Sequence, residues 1–428
     1  MITRASRRVL VLAYYFPPMG LSGVQRTAKF VKYLPDHGWS PVVLTVTEGG
    51  YFAFDESLLD ELKTRDIQIV RTPSVDPTRL FSRRSQVSLP GERARSGLST
   101  LSQWLMIPDN KLGWGIHAYR AGSRLLEEVD FDAIISSAPP YSSHLIAARL
   151  ARSYGMPLVL DYRDDWLENP RHVYPTRFHR WLHARQERRV AGVTDAVVTI
   201  NPVIASALRS RHDAPVSVIP QGFDPEDYVI PDGDEGESGS SARLEFIYTG
   251  VFYDRQTPIP FLNGLHRLVC EEPALRSRLR ATFVGLFPKS GLAAVERLGL
   301  GDVVQILPYL SQGEAMARIQ RADVPWLIVG AGPGQDQIST GKLFAYIGAG
   351  KPILGLVPEG AARDTLESYP CGWIAHPDEP GEIDFALRQI VRLWLEAGLP
   401  QATEAAMDPY SRPALAGHLA AVLNRVSS

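Results

Sequence analysis

Brief unbroken apolar runs recur along the chain, separated by stretches in which apolar residues return every third or fourth position. Val9 to Ala13, Pro41 to Val46, Ile67 to Val70, Ala133 to Ser136, Leu158 to Asp161, Ala196 to Ile200 and Val216 to Ile219 read as buried strands. After the first of them, Val24, Phe30, Val31 and Leu34 stand at helical spacing. Strand, loop, helix, strand is the rhythm of a sheet built in parallel through crossover helices. The rhythm starts again at Leu244 to Tyr248 and continues through Ala281 to Val284, Val303 to Leu307, Val324 to Val329, Ile353 to Val357 and Gly372 to Ala375. The pattern predicts an α/β protein with two doubly wound parallel sheets facing a cleft.

Between the two series lies an acidic, small-residue stretch, 231–241, with no apolar side chains, so it cannot bury enough surface to order itself. The expected division is therefore a first domain over 1–225, a flexible linker over 226–243 and a second domain over 244–408. Pro409 to Val426 reads as a helix with Leu415, Leu419, Val422 and Leu423 on one face. A length of 428 residues agrees with two cores. Regularity fades from about Pro73 to Leu112, where Arg79, Arg83, Arg84, Arg93 and Arg95 are interleaved with Leu80, Phe81, Val87 and Leu89. A solvated insertion is one reading. The other is an interfacial or acceptor-binding patch, joined by Arg171, Arg177, Phe178, Arg180, Trp181, Arg185, Arg188 and Arg189, which suits an anionic membrane surface.

Composition narrows the classes. Hydrophobic content of 45% and charged content of 21% are those of a soluble globular protein, and a net charge of −2 argues against a nucleic-acid binder. Cys270 and Cys371 lie far apart without metal-site spacing, which predicts a reducing compartment. No secretion signal is evident and no run of about 18 apolar residues occurs, so a cytoplasmic protein is expected, with room for peripheral contact at the inner face of the membrane.

The candidate chemistry centres on Ser339-Thr340-Gly341-Lys342-Leu343-Phe344. It follows the strand Val324 to Val329 and the glycine-rich Gly330-Ala331-Gly332-Pro333-Gly334, giving strand, loop and helix N-terminus in the order that suits a phosphate. Ser339 or Thr340 can cap the helix, Gly341 is expected to let backbone approach backbone, and Lys342 adds a full charge to the unpaired N–H groups of the first turn. Gly20 and Gly23 lie in the loop after the first strand, without the G-x-G-x-x-G spacing of a dinucleotide site. His144 follows Pro139 and Pro140 in the first turn of a helix at the carboxyl edge of the sheet, where the helix dipole favours a neutral ring. Asp161, Arg163, Asp164 and Asp165 leave the end of another strand, either as a buried structural bridge or as groups facing a ligand. Adjacent Asp164 and Asp165 without further ligands are weak evidence for a metal.

These motifs carry a resemblance. Lys342 to Pro352 is similar to the Lys-Leu-Phe-Glu-Tyr-Leu-Ala-Ser-Gly-Lys-Pro signature of retaining, nucleotide-sugar-dependent glycosyltransferases of the family-four kind, and Asp161 to Trp166 resembles their Asp-Phe-Arg-Asp-Pro-Trp. The Pro139-Pro140-Tyr141-Ser142-Ser143-His144 run matches the family's Pro-Pro-x-Ser-x-His, and Ile107 to Trp114 resembles a segment frequent in the subgroup whose role the residues do not reveal. The resemblance implies a GT-B fold of two Rossmann-like domains, with the C-terminal helix of 409–428 packing back on the first, and no cofactor beyond a nucleotide-diphosphate sugar as donor, with no metal. The acceptor it implies is a glycan, a lipid-linked sugar or a small molecule. It puts Arg255, Lys342 and His144 in catalytic roles and gives Gly250, Gly285, Tyr309, Leu310, Ser339, Thr340, Gly341 and Leu343 to the donor. Gly20, Gly23, Asp161, Arg163 and Asp164 go to the acceptor or the transferred sugar, with Tyr309 alternatively plain core. The family's ribose-binding glutamate is replaced by Ala345, leaving Gln337, Glu314 or a backbone group to substitute. A catalytically silent binding protein and a sugar-nucleotide epimerase are the alternatives.

Overall fold

The computed structural model describes residues 7–20, 22–49, 54–76, 79, 104, 106–170, 172–228, 243–253 and 255–428. The chain divides into two compact units, Met1–Pro220 with Arg412–Ser428, and Gln221–Ser411.

In the first unit β1 (Arg7–Leu12), β2 (Trp39–Val46), β3 (Gln68–Thr72), β4 (Ala133–Ala138), β5 (Leu158–Tyr162), β6 (Ala196–Thr199) and β7 (Val216–Val218) form one sheet in the order β3-β2-β1-β4-β5-β6-β7. Every pairing is parallel, with Val9 of β1 opposite Pro41 on one side and Ala133 on the other. Successive side chains leave a strand on opposite faces. Leu10, Leu44, Ile134 and Leu160 accordingly enter one core, and Val9, Val43, Ile135 and Val159 another. Burial on both faces is why these strands read as unbroken apolar runs. The second of these cores is completed by the helix Arg412–Val426, which contributes Leu415, Leu419, Val422 and Leu423, while its Asn424 accepts a 3.1 Å hydrogen bond from the Trp39 indole.

The second unit repeats the design with β8 (Leu244–Val251), β9 (Leu279–Leu286), β10 (Val304–Leu307), β11 (Val324–Ile328), β12 (Ile353–Leu356) and β13 (Gly372–Ala375), in the order β10-β9-β8-β11-β12-β13. All its pairings are parallel. Phe246, Phe283, Trp326 and Leu354 build one core, with Phe261 stacked 4.2 Å from Trp326, and Leu327 and Ile353 point to the other face.

Two expectations are corrected. The units divide at Pro220 rather than 225, and Phe223 to Tyr228 belong to the second unit instead of closing the first domain and opening the linker. Aromatic anchoring is the reason: the Phe223 N–H donates to Tyr410 O (2.9 Å), and the Tyr228 O–H to Ala345 O (2.6 Å). The acidic stretch itself lies outside the described residues. So do Leu80, Phe81, Arg83, Arg84, Val87, Leu89, Arg93 and Arg95 of the irregular segment. Where that segment is described it is not a solvated insertion: Asp76, Arg79 and Lys111 are buried around Tyr14, whose O–H donates to Asp76 (2.5 Å) and accepts from Arg79 (3.1 Å).

Candidate functional site

In the second unit the strand order reverses between β8 and β11, the place where ligands collect at the carboxyl ends of an open parallel sheet. The loop after β8 and the glycine loop after β11 meet there. Lys342 is the second residue of the helix Gly341–Gly348, and its ammonium group donates to Val251 O at 3.2 Å and lies 5.1 Å from the Tyr248 ring centre. The helix is fixed to β8 by Tyr346, whose buried hydroxyl accepts from the Thr249 N–H at 3.1 Å. Gly250 makes room for the lysine: it holds φ +107°, and a Cβ there would stand 2.8 Å from Lys342 Cε. Arg255 is exposed and lies across the other loop, its guanidinium donating to Ala331 O at 3.3 Å. A Cβ on Gly332, which holds φ +141°, would stand 2.8 Å from its Nη1. Two cations are thus brought to one glycine-lined edge, each donating to a backbone carbonyl.

The expected helix start needs adjustment. Thr340, not Ser339, is the cap, its hydroxyl accepting weakly from the Lys342 N–H at 3.4 Å. The Leu343 N–H donates to Thr340 O, and the Leu343 side chain is fully buried in the core, so that residue offers a ligand nothing directly. Gly341 is not a point of backbone approach: a Cβ there would meet open space, and its N–H has no protein acceptor among the described residues. Gly285 sits beside Gly250 across the β8–β9 ladder, where a side chain would run into the Gly250 carbonyl, so its role is close strand packing. Tyr309 is 73% exposed and is not core, whereas Leu310 packs against Ile247, Val284 and Ala322. Glu314 is committed to a capping box with Ser311 and does not stand in for the missing glutamate. Tyr253, exposed and 5.9 Å by its ring centre from the Lys342 ammonium group, escaped the sequence reading; the cue was an aromatic residue just past the end of a strand.

In the first unit most of the acceptor candidates turn out to hold the fold. Asp161 receives a forked pair of hydrogen bonds from Arg26 (2.9 and 3.0 Å) and another from Ser137 (2.8 Å), all buried. Removing either member of such a pair strands a charge in the interior. Arg163 donates to the carbonyls of Gly23, Ala138 and Pro139, which ties the start of the helix Ser22–Tyr33 to the end of β4. Gly23 is therefore an acceptor for arginine, and Gly20 is buried. Asp165 is engaged by Arg211 at 2.6 Å and by two backbone N–H groups, and Asp164 beside it is half-buried.

His144 is the largest correction. It occupies the first turn of the helix Ser142–Tyr154 as expected, but it is fully buried, with Nδ1 2.9 Å from Ser136 Oγ and its ring 4.7 Å from that of Tyr162. Its pKa is pushed well below the usual range, first by burial and then by His212 and Arg163, so desolvation is the leading cause of the neutral ring.

A separate feature is the helix Arg177–Ala191, which exposes Arg177, Phe178, Arg180, Trp181, Arg185, Arg188 and Arg189 while its one acidic residue, Glu187, is buried. Phe178 and Trp181 are 60% and 46% exposed, their rings 5.8 Å apart, with Arg185 over Trp181. Among the described residues no helix is long and apolar enough to cross a membrane.

Against this geometry the comparisons with known proteins can be set. A family model described as a glycosyl transferase 4-like domain matches residues 22–222. Among solved structures, HepE from Anabaena in complex with UDP aligns at TM-score 0.65 and 14% identity, over 98% of this chain and 100% of that one. Sucrose-phosphate synthase from Thermosynechococcus elongatus aligns at TM-score 0.63 and 12% identity, over 98% of both chains. A UDP-forming α,α-trehalose-phosphate synthase from Burkholderia xenovorans aligns at TM-score 0.57 and 12% identity, over 99% and 100%. Comparison with the curated proteins finds no match. At these identities the likeness is one of fold: two Rossmann-like parallel-sheet units of the GT-B kind.

Proposed function

We propose that the chain is a glycosyltransferase of the family-four kind, moving a sugar from a nucleotide-diphosphate donor to a hydroxyl of a sugar, lipid-linked or small-molecule acceptor. The observation that carries this is the pair of cations, Lys342 and Arg255, held by backbone carbonyls where the strand order of the second unit reverses. Departure of a diphosphate puts negative charge on the leaving oxygens, and fixed positive groups that meet it lower the barrier. A guanidinium grips two phosphate oxygens in one plane, an ammonium group offers a compact charge, and the Gly341 N–H adds a backbone donor beside open space. The match of residues 22–222 and the UDP in the HepE structure support a nucleotide-sugar donor. Retention at the anomeric carbon, absence of a metal and help from the leaving phosphate in taking the acceptor's proton complete the reading. Gln337 or a backbone group receives the ribose in place of the glutamate replaced by Ala345.

Calorimetry with UDP, GDP, dTDP and ADP, followed by donor-hydrolysis and transfer assays, tests it. One diphosphate is expected to bind, and Lys342→Ala and Arg255→Ala are each expected to lower kcat by about 100-fold or more. Near-normal turnover in both variants, or binding of none of the four nucleotides, refutes the assignment. The exposed arginines and aromatics of the helix Arg177–Ala191 favour one addition: peripheral contact with an anionic membrane, from the cytoplasmic side.

A further inference from the structure

Tyr253 stands at the cationic edge of the second unit without a part in the chemistry given to Lys342 and Arg255. It lies shortly past the end of β8, is 44% exposed, and brings its ring centre to 5.9 Å from the Lys342 ammonium nitrogen. Its hydroxyl has no hydrogen-bond partner among the described residues.

The local chain fixes where that residue stands. Tyr248 is buried against Trp326, with 5.1 Å between ring centres, and Phe252 stacks on Tyr248 at 4.0 Å with an interplanar angle of 4°. The residue before Tyr253 is therefore pinned inward. After it, the Gln256 N–H donates to Tyr253 O at 2.8 Å, which closes the turn that carries Arg255. Arg255 in its turn lies close on the glycine loop, since a Cβ on Gly330 would stand 2.5 Å from Arg255 O. The backbone of Tyr253 is held on both sides, with its ring left beside the lysine.

The ammonium group of Lys342 has two aromatic neighbours, Tyr248 at 5.1 Å and Tyr253 at 5.9 Å, both inside the ~6 Å over which the negative face of a ring attracts a cation. A lysine charge rides on a flexible four-carbon stem, and ordering it when a ligand arrives costs free energy. A charge already held in place meets the ligand without that cost. We propose that Tyr253 is the positioning residue of this edge: its ring holds the Lys342 ammonium group where a diphosphate meets it, and its carbonyl closes the turn that presents Arg255. One residue then sets both cations, and its hydroxyl takes no part. The identity of the ligand rests on the transferase reading; the hold of the ring on the ammonium group does not.

Two measurements on the full-length protein test this. In NMR of protein carrying isotope-labelled lysine, with Lys342→Arg identifying the signal, Tyr253→Leu is expected to move the resonance of the Lys342 methylene next to nitrogen, and Tyr253→Phe to leave it in place. No nucleotide is needed for that readout. In calorimetry with UDP, GDP, dTDP and ADP, Tyr253→Leu is expected to weaken whichever diphosphate the wild type binds by about fivefold, as loss of one half-exposed cation–ring contact would, while Tyr253→Phe restores affinity to within about twofold. Tyr253→Met serves as a second variant without a ring, and thermal midpoints equal to that of the wild type exclude misfolding as the cause of a loss. Wild-type affinity in both ring-less variants, or an unmoved lysine signal, overturns the proposal and leaves the donor site standing. So does an equal loss in Tyr253→Phe, because the hydroxyl would then be touching the ligand. If the wild type binds none of the four diphosphates, the transferase reading fails and takes the role of Tyr253 toward a diphosphate with it.

Discussion

Histidine is the residue type whose placement here could least be foreseen. His183 is buried, and its Nδ1 accepts a 3.0 Å hydrogen bond from the Trp166 indole, a role open only to the neutral ring. Burial first, then His172 and His179, lower its pKa from 6.5 to about 4. Between those values the unfolded chain binds a proton that the native chain refuses, so the stability this residue contributes is complete above about pH 6.5 and is lost as pH falls toward 4. The thermal midpoint is expected to drop over that interval, and His183→Gln, which keeps an acceptor for Trp166 without a titrating group, is expected to shrink the drop; an unchanged slope would remove His183 from the explanation. The same scale shows what was legible. The place of Lys342 after a strand and a glycine loop could be read, because that order with a cation in a helix's first turn is a local pattern, whereas the separate tasks of Gly285 and Gly341 could not. The engagement of Asp161 could not, because its partner Arg26 comes from a helix far away in the chain, and residue type alone does not distinguish a carboxylate awaiting a ligand from one already closed upon.

At the level of elements, both sheets were readable from unbroken apolar runs, since strands covered on two faces have no polar side to interrupt them. The ends were less readable: β9 extends from Leu279 to Leu286, beyond the expected Ala281 to Val284, because Gly285 pairs with Gly250 in register and backbone pairing does not require apolar side chains. A solvated insertion was one of two readings of the segment near residue 76, because charged residues are usually solvated; a buried set in which Asp76 pairs with Arg79 and Lys111 beside Tyr14 leaves no trace in composition. The helix Arg412–Val426 shows how much one element contributes: Leu419, 1% exposed, packs with Val9, Val31 and Ile135. Leu419→Ala is expected to lower unfolding stability by about 2–5 kcal/mol in a urea titration, through lost transfer energy and the remaining void. A change below about 0.5 kcal/mol would mean that this helix is not part of the core.

For the molecule as a whole, the formal charge of −2 conceals a local excess: the helix Arg177–Ala191 carries exposed arginines, two large aromatic side chains and no exposed acid. Vesicles containing phosphatidylglycerol are expected to sediment the protein while pure phosphatidylcholine vesicles do not, and the bound fraction should fall several-fold as salt is raised well past the physiological range. Phe178→Ala with Trp181→Ala should weaken binding further, by removing the part that salt does not screen. Equal binding to both vesicle types, or to neither, would end the membrane reading. The division of the chain at Pro220 and Arg412 has a consequence during synthesis. A ribosome delivers every strand of the first sheet, then all of Gln221–Ser411, and only then the helix that covers Val9, Val43 and Val159. The half begun first must wait with an uncovered apolar surface while the half begun second can finish, so premature termination shortly before residue 412 should leave a nascent product that chaperones retain.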